Sequence, residues 1–299
     1  MTIAPETPRT PTSLIPSVLE LEITRRCQLT CASHCYAEAG PTRGHGAMTG
    51  DIWKRVISEA AALGVKKVQF IGGEPTLHPD FADLVEHALW EGLNVEVYSN
   101  LYRVRLEHWR LFTRPGVTLA TSYYADTDEG HDQVTGRQGS HAATRANIIE
   151  AHRRGIHLRV GIVDVLHGQR VGQAREELEA LGITDVHTDR VRGVGNAIEG
   201  GGLPSTSALC GRCAHGIAAI LSDGRVTPCV LGRFLPAGQV QDTTLDRVFA
   251  SQQWQQIAAS IPASRHDPCG PDCGPNDDSQ GGGGTCSPAE DEVFPSRAS

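Results

Sequence analysis

Nine cysteines occur in 299 residues, and they fall in three groups, at 27–35, 210–229 and 269–286. The first group is the tightest. In "CQLTCASHC" three residues separate Cys27 from Cys31, and three separate Cys31 from Cys35. Three thiols in one short loop cannot all pair as disulfides, and an odd total argues for metal or redox chemistry over a disulfide framework. Soft thiolates select iron–sulfur clusters, copper(I) or zinc. A four-iron cluster held by three cysteines leaves one iron open to a small-molecule ligand, which gives the number three a chemical reason.

A second segment points the same way. In "GGEP", Gly72 and Gly73 allow backbone to approach a bound group closely, and Glu74 is placed to accept a hydrogen bond from an ammonium. Helix N-termini after such loops receive carboxylates. The ligand implied carries both an amine and a carboxylate.

The elements that must position these residues follow from hydrophobic periodicity. "VLELEIT" (18–24) alternates as a strand and runs into the cysteine loop. "MTGDIWKRVISEAAALGV" predicts a helix with a Thr cap, "KKVQFIGG" a strand, "HPDFADLVEHALWEGL" a helix and "NVEVYSN" a strand. "RLEHWRLFTRPG" is a helix and "VTLATSYY" a strand, followed by helix "SHAATRANIIEAHRRGI", strand "HLRVGIVDV", helix "RVGQAREELEALGI" and strand "TDVHTDRVRGVG". Strict alternation predicts a parallel sheet wrapped by right-handed crossovers. Six units predict an α/β fold, a partial (β/α)6 barrel, with a small cysteine-rich C-terminal extension. The cysteine loop, "GGEP", "YSN" (98–100) and Ser122 then share the rim at the C-terminal ends of the first four strands, where such folds build their sites.

The expected boundaries are a flexible tail at 1–16, a core at 17–200, an extension at 201–290 and a second tail at 291–299. A net charge of −8 without a basic stripe excludes nucleic acid as the default partner. The Pro/Thr-rich start lacks the apolar segment of a signal peptide, and no run is long enough to span a membrane. A cytoplasmic protein without a membrane partner is expected. Most histidines, among them His78, His87, His108 and His152, are assigned to surface positions; His131 with Asp132 follows the fourth strand, where facing the site is the alternative to the structural role assigned to it. Glu150, Asp164 and Asp189 sit on barrel elements, with Asp164 expected to turn inward.

Together the loop, "GGEP" and the strand order resemble the radical S-adenosylmethionine (radical SAM) superfamily over roughly residues 17–200. The resemblance implies that Cys27, Cys31 and Cys35 ligate a [4Fe–4S] cluster whose open iron binds the amine and carboxylate of SAM. It implies that His34 lies near adenine and that Gly72, Gly73, Glu74 and Pro75 contact the methionine amine. Ser99, Asn100, Ser122 and Arg137 would lie near the ribose and carboxylate. The family's usual spacing is C-x3-C-x2-C, so this loop has one residue more, within "ASH". That residue is expected either to bulge or to change how the cluster sits.

The C-terminal cysteines resemble the family's SPASM and twitch extensions, which hold auxiliary clusters. Cys213, Gly224 and Cys229 match the first half of that pattern, with "AAILSDGRVTPCV" read as a hairpin. Cys269, Cys273 and Cys286 resemble its end, but the C-x2-C expected before Cys269 is absent. One auxiliary cluster on Cys210, Cys213, Cys229 and Cys273 is expected, leaving Cys269 and Cys286 over; a zinc ribbon is the alternative for the same four. The resemblance implies peptide modification, with dehydrogenation or epimerisation of a small metabolite as the alternative. For epimerisation, Cys269 or Cys286 would serve as hydrogen donor. A non-catalytic iron–sulfur or zinc protein is the reading of another class. An electron donor such as flavodoxin or ferredoxin is implied. No N-terminal peptide-recognition domain is evident before the barrel, which counts against leader binding.

Overall fold

The computed structural model describes residues 14–31, 33–198, 202–211 and 213–261. Cys269, Cys273 and Cys286 lie outside the described residues, as does most of the expected N-terminal tail.

The chain begins with β1 (Val18–Thr24), every residue of which is buried. Leu19, Leu21 and Ile23 belong to the main apolar core, together with Trp53, Val56 and Ile57 of α1 (Gly50–Ala62). The alternate residues Glu20, Glu22 and Thr24 therefore face the other side of the sheet, because successive strand side chains point to opposite faces. Thr49 caps α1 by accepting from Ile52 N–H. Next come β2 (Lys67–Gly72), α2 (Phe81–Trp90), β3 (Asn94–Tyr98), α3 (Leu106–Phe112) and β4 (Val117–Tyr123). The run continues through α4 (Asp128–Thr135), α5 (Ser140–Arg153), β5 (Leu158–Asp164), α6 (Val171–Ala180) and β6 (Val186–Arg190). The six strands pair in parallel in the order β6-β5-β4-β3-β2-β1, as the alternation predicts.

Three features were not expected. First, α4 stands between β4 and α5. Thr127 accepts from Gly130 N–H, Asp128 and Glu129 occupy the first turn, and Gly136 ends the helix at φ 64°. Second, the sheet does not stop at β1. The strand β7 (Ile217–Ile220) pairs in parallel with β1, placing Val18 opposite Ile217. The predicted hairpin follows, with β8 (Arg225–Thr227) antiparallel to β7, and β9 (Gly238–Gln239) completes nine strands. Helices α7 (Leu245–Ala250) and α8 (Gln252–Ser260) then return to the core, where Trp254 is fully buried and its Nε1–H donates to Leu14 O. Third, the inner face is polar and dry. Glu20, Gln69 and Glu96 form one row across β1, β2 and β3, all at most 4% exposed.

Ionisable groups buried on that face have partners, and Glu20, pushed up to about 8 by burial, is met by a backbone amide. Arg159 Nη2 donates to Glu96 Oε1 at 3.0 Å. Val230 N–H donates to Glu20, and Arg233 Nη1 donates to Glu22 at 2.7 Å. Two β1 carboxylates thus hold the loop that follows β8.

Several local expectations are corrected. His78 and His108 are buried, not surface residues: Asp80 N–H donates to His78 Nδ1, and His108 packs among Phe81 and Phe112. Asp164 is exposed, because alternation after inward-facing Val163 sends it outward. Among the described residues no helix is long and apolar enough to cross a membrane.

The Glu22–Arg233 pair has side chains 0% and 14% exposed. Removing one partner of such a pair costs about 3–5 kcal/mol, whereas an apolar replacement of both is much better tolerated. Arg233→Met should lower the urea midpoint by a loss in that range, and the Glu22→Leu/Arg233→Met double variant should recover most of it.

Candidate active site

The ends of β1 and β2 approach each other more closely than side chains permit. Gly73 N–H donates to Thr24 O, and Glu74 N–H donates to Arg26 O. Gly72 has φ +141°, and a Cβ there would collide with the Thr24 carbonyl oxygen; one on Gly73 would collide with that of Arg26. Only glycine fits both positions.

This contact sets the cysteine loop. Cys27 N–H donates to Gly40 O, closing the loop on itself. On one side Thr30 N–H donates to Thr135 O at the end of α4. On the other, Asn196 N–H donates to Cys35 O and its Nδ2 to Cys31 O. Ala32, within the extra residue's stretch, lies outside the described residues, and turns follow at 33–34 and 36–37.

Cys27, Cys31 and Cys35 line one cavity with about 1020 Å³ of empty space. His34, Gly72, Gly73, Asn100 and Ser122 line it too. Glu74, Pro75 and Ser99 do not, and Arg137 lies elsewhere, its Nε donating to Tyr102 OH. Glu74 works from behind. At 1% exposure its carboxylate accepts from Thr76 Oγ1, Ser99 Oγ and Asn100 N–H. It therefore fixes Asn100, whose Nδ2 donates to Cys27 Sγ at 3.5 Å.

The thiols suit a cationic iron site. Leu29 N–H donates to Cys27 Sγ and Ala39 N–H to Cys35 Sγ, bonds that favour a thiolate. Burial acts against them, with nearby Glu74 adding to it, and pushes the Cys27 thiol up to about 12. Burial also raises Cys31 and Cys35. Thiols so placed shed their protons when a metal binds, not before. His34 Nδ1 and the Tyr36 hydroxyl are buried on the cavity wall without partners, and a bound group would have to compensate them.

The wall also holds residues that sequence reasoning missed, Tyr36, Tyr124, Thr144, Arg190, Arg192 and Leu231, beside Tyr98 of the expected rim and His131. Counting by twos from inward-facing Ser122 would have found Tyr124, one residue past the end of β4. These residues are linked: Tyr98 OH meets Ser122 Oγ, and His34 Nε2 meets Tyr124 OH, each at 3.1 Å. Asp189 is buried beside Arg192, whose Nη2 donates to it, and Glu150 pairs on the surface with Arg153 and Arg154.

In the extension, Cys213 Sγ is 2.7 Å from Cys229 Sγ and 3.8 Å from Cys210 Sγ. Hydrogen bonding with Cys210 and Cys229, together with burial, holds the Cys213 thiol well above its usual range. Gly232 N–H donates to Cys229 Sγ at 3.2 Å. Two residues beyond Cys229, Leu231 lines the cavity.

Gly73→Ala should sharply reduce the iron retained after anaerobic reconstitution, because β1 and β2 must separate. Glu74→Ala frees Asn100 and should weaken cofactor retention or turnover by about 10–100-fold, the usual cost of losing an outer-shell partner. Iron analysis of both variants beside the parent protein checks the pair.

Comparison with known proteins agrees with this geometry. The family model of the radical SAM superfamily matches residues 21–181, and that of SPASM, an iron–sulfur cluster-binding domain, matches 210–274. PqqA peptide cyclase of Bradyrhizobium diazoefficiens is 29% identical over 65% of this chain and 50% of its own length. Sporulation killing factor maturation protein SkfB of Bacillus subtilis is 28% identical over 63% of this chain and 46% of its own. The chain thus spans about half the length of these relatives. Streptococcus suis SuiB bound to S-adenosylmethionine shares the fold, with a TM-score of 0.67, 14% identity and coverage of 82% of this chain and 68% of its own. A family match across more than half of the sequence shows that the chain belongs to the radical SAM superfamily.

Proposed function

We propose that the protein is a radical SAM enzyme that modifies a ribosomally made peptide, by crosslinking, epimerisation or oxidation. The observation that carries this reading is the single cavity in which the three loop thiols meet Gly72, Gly73, Asn100 and Ser122. Relatives named as a PqqA peptide cyclase and a sporulation killing factor maturation protein support the substrate class. When bound, a [4Fe–4S] cluster with an open iron supplies the electron that cleaves SAM to a 5′-deoxyadenosyl radical, which removes a substrate hydrogen.

The chain's own residues bind and orient. Cys27, Cys31 and Cys35 hold the cluster, while the backbone at Gly72 and Gly73 offers close approach to SAM. Glu74 acts through Asn100, and Ser122 is held by Tyr98. His34, kept below its usual range at about 4 by burial, stays a neutral ring beside the ligand. An external donor such as flavodoxin or ferredoxin supplies electrons. Cys210, Cys213 and Cys229, with Cys273, hold one auxiliary cluster. The hydrogen bond from Val230 to Glu20 and the ion pair between Arg233 and Glu22 hold that loop against the barrel. Because among the described residues β6 and β9 end the sheet without pairing with each other, the barrel is open on one side, which suits an extended peptide.

The test uses anaerobically reconstituted protein, SAM, dithionite and the short peptide encoded nearest its gene. Expected are 5′-deoxyadenosine, a peptide of altered mass or stereochemistry, and about eight iron atoms per chain from two four-iron clusters. Absence of 5′-deoxyadenosine would return the protein to the non-catalytic class. Formation of it with turnover of a sugar or amino sugar alone would replace the peptide reading, and four iron with one zinc would remove the auxiliary cluster.

A further inference from the structure

His131 is 1% exposed, lines the cavity, and keeps one ring nitrogen, Nε2, without a partner. A buried nitrogen left unpaired is costly, and its occurrence on a ligand cavity calls for a function.

The bonds behind the ring decide which nitrogen carries the proton. Asp132 is a carboxylate and can only accept; Ser140 Oγ–H donates to its Oδ1 at 2.8 Å. With its one proton given to Asp132, Ser140 Oγ is an acceptor toward both Thr135 Oγ1, 2.6 Å away, and His131 Nδ1, 3.1 Å away. Nδ1 therefore bears the hydrogen, and Nε2 presents a lone pair. Although burial works against ionisation, hydrogen bonds from His141 N–H, Gly139 N–H and Ser140 hold the Asp132 carboxyl below its usual range, so the acceptor end stays ionised. Asp132 is partly exposed, so the chain Nε2–ring–Nδ1–Ser140–Asp132 runs from the cavity wall to water.

From this geometry we infer that His131 is the proton acceptor for the substrate, wired to solvent through Ser140 and Asp132. The inference rests on the peptide-modifying reading in its net-oxidative form. The substrate carbon loses a hydrogen atom, which ends in 5′-deoxyadenosine. The carbon radical then gives one electron to an iron–sulfur acceptor, and an adjacent N–H, O–H, S–H or C–H bond breaks. Its proton goes to Nε2, its electron pair stays with the substrate to form the new bond, and the proton on Nδ1 moves to Ser140 and Asp132. The substrate has lost two hydrogens and two electrons, and the charge balances.

The surroundings keep the resting ring neutral. Burial lowers His131 to about 4, and His141 on α5 pushes the same way, while Asp132 and Asp128 on α4 oppose it. Tyr123 on β4 and Tyr124 just after it pack against the ring, and Glu177 on α6 is reached through Tyr123 and His141. His141 is engaged with Asp128 and Tyr123, so it does not compete for the cavity.

Two measurements test this. In the reconstituted protein labelled with 15N-histidine, the His131 resonance should show a bare Nε2 and a protonated Nδ1 that stays neutral below the usual histidine range. Asp132→Asn and Ser140→Ala should each mix the tautomers. A protonated Nε2 in the parent protein overturns the proposal, whether or not any peptide reacts. In turnover with the neighbouring gene's peptide, His131→Gln can offer an amide oxygen as acceptor but cannot take the proton. It should keep KM and lose kcat, with product per 5′-deoxyadenosine falling about 100-fold or more. Asp132→Asn, at the exposed end of the relay, should give a smaller fall and a changed pH profile. Parent-like product ratios in both variants would overturn the role; failure of the parent protein on every peptide would overturn the substrate reading and leave the nitrogen resonance to decide the relay.

Discussion

The contact between the ends of β1 and β2 governs the site. Two glycines let the β2 backbone donate into the carbonyls of Thr24 and Arg26, so the first turn of the cysteine loop is tied to the segment that carries Glu74. From there the constraint spreads sideways. Glu74 holds Ser99 and Asn100 at the end of β3, Asn100 bonds the first cysteine, and α4 and the turn after β6 grip the rest of the loop. A loop of three free thiols would otherwise sample many arrangements. Here backbone bonds on both sides reduce that freedom before any cofactor is present.

The second organising fact is the wet chemistry hidden inside a dry barrel. Parallel sheets covered on both faces are normally apolar throughout. This one turns Glu20, Glu22, Gln69, Glu96 and Arg159 inward and buries them. The charges are satisfied by one another and by the loop after β8, so the C-terminal extension acts as a structural partner of the core strand. One of its cysteines, Cys229, lies two residues from the cavity-lining Leu231.

Much of this was legible in the sequence, for identifiable reasons. The six strands and their principal helices announce themselves through period and caps, and the cysteine loop and "GGEP" through residues adjacent in the chain. Helix α4 was missed because its surface is polar and its buried side carries His131, Val134 and Thr135 in place of an apolar stripe. Its Thr cap, acidic first turn and terminal glycine were the available signals. The pairing of β7 with β1 joins residues about two hundred positions apart, and local pattern carries no such register. His78 and His108 looked like surface residues because their partners, a neighbouring amide and two phenylalanines, are visible only in three dimensions. Arg137 shows the converse, a residue of suitable type and place that the fold turns toward Tyr102.

Strand β1 carries load from both of its edges, and this has a consequence for maturation. The loop thiols hang from its C-terminal end, and the extension's thiols are fastened to it through β7, Glu20 and Glu22. Any group that binds at one set and stiffens the strand lowers the ordering entropy owed at the other. By thermodynamic reciprocity the benefit is equal in both directions. Whatever stiffens β1 at one thiol set is therefore felt at the other.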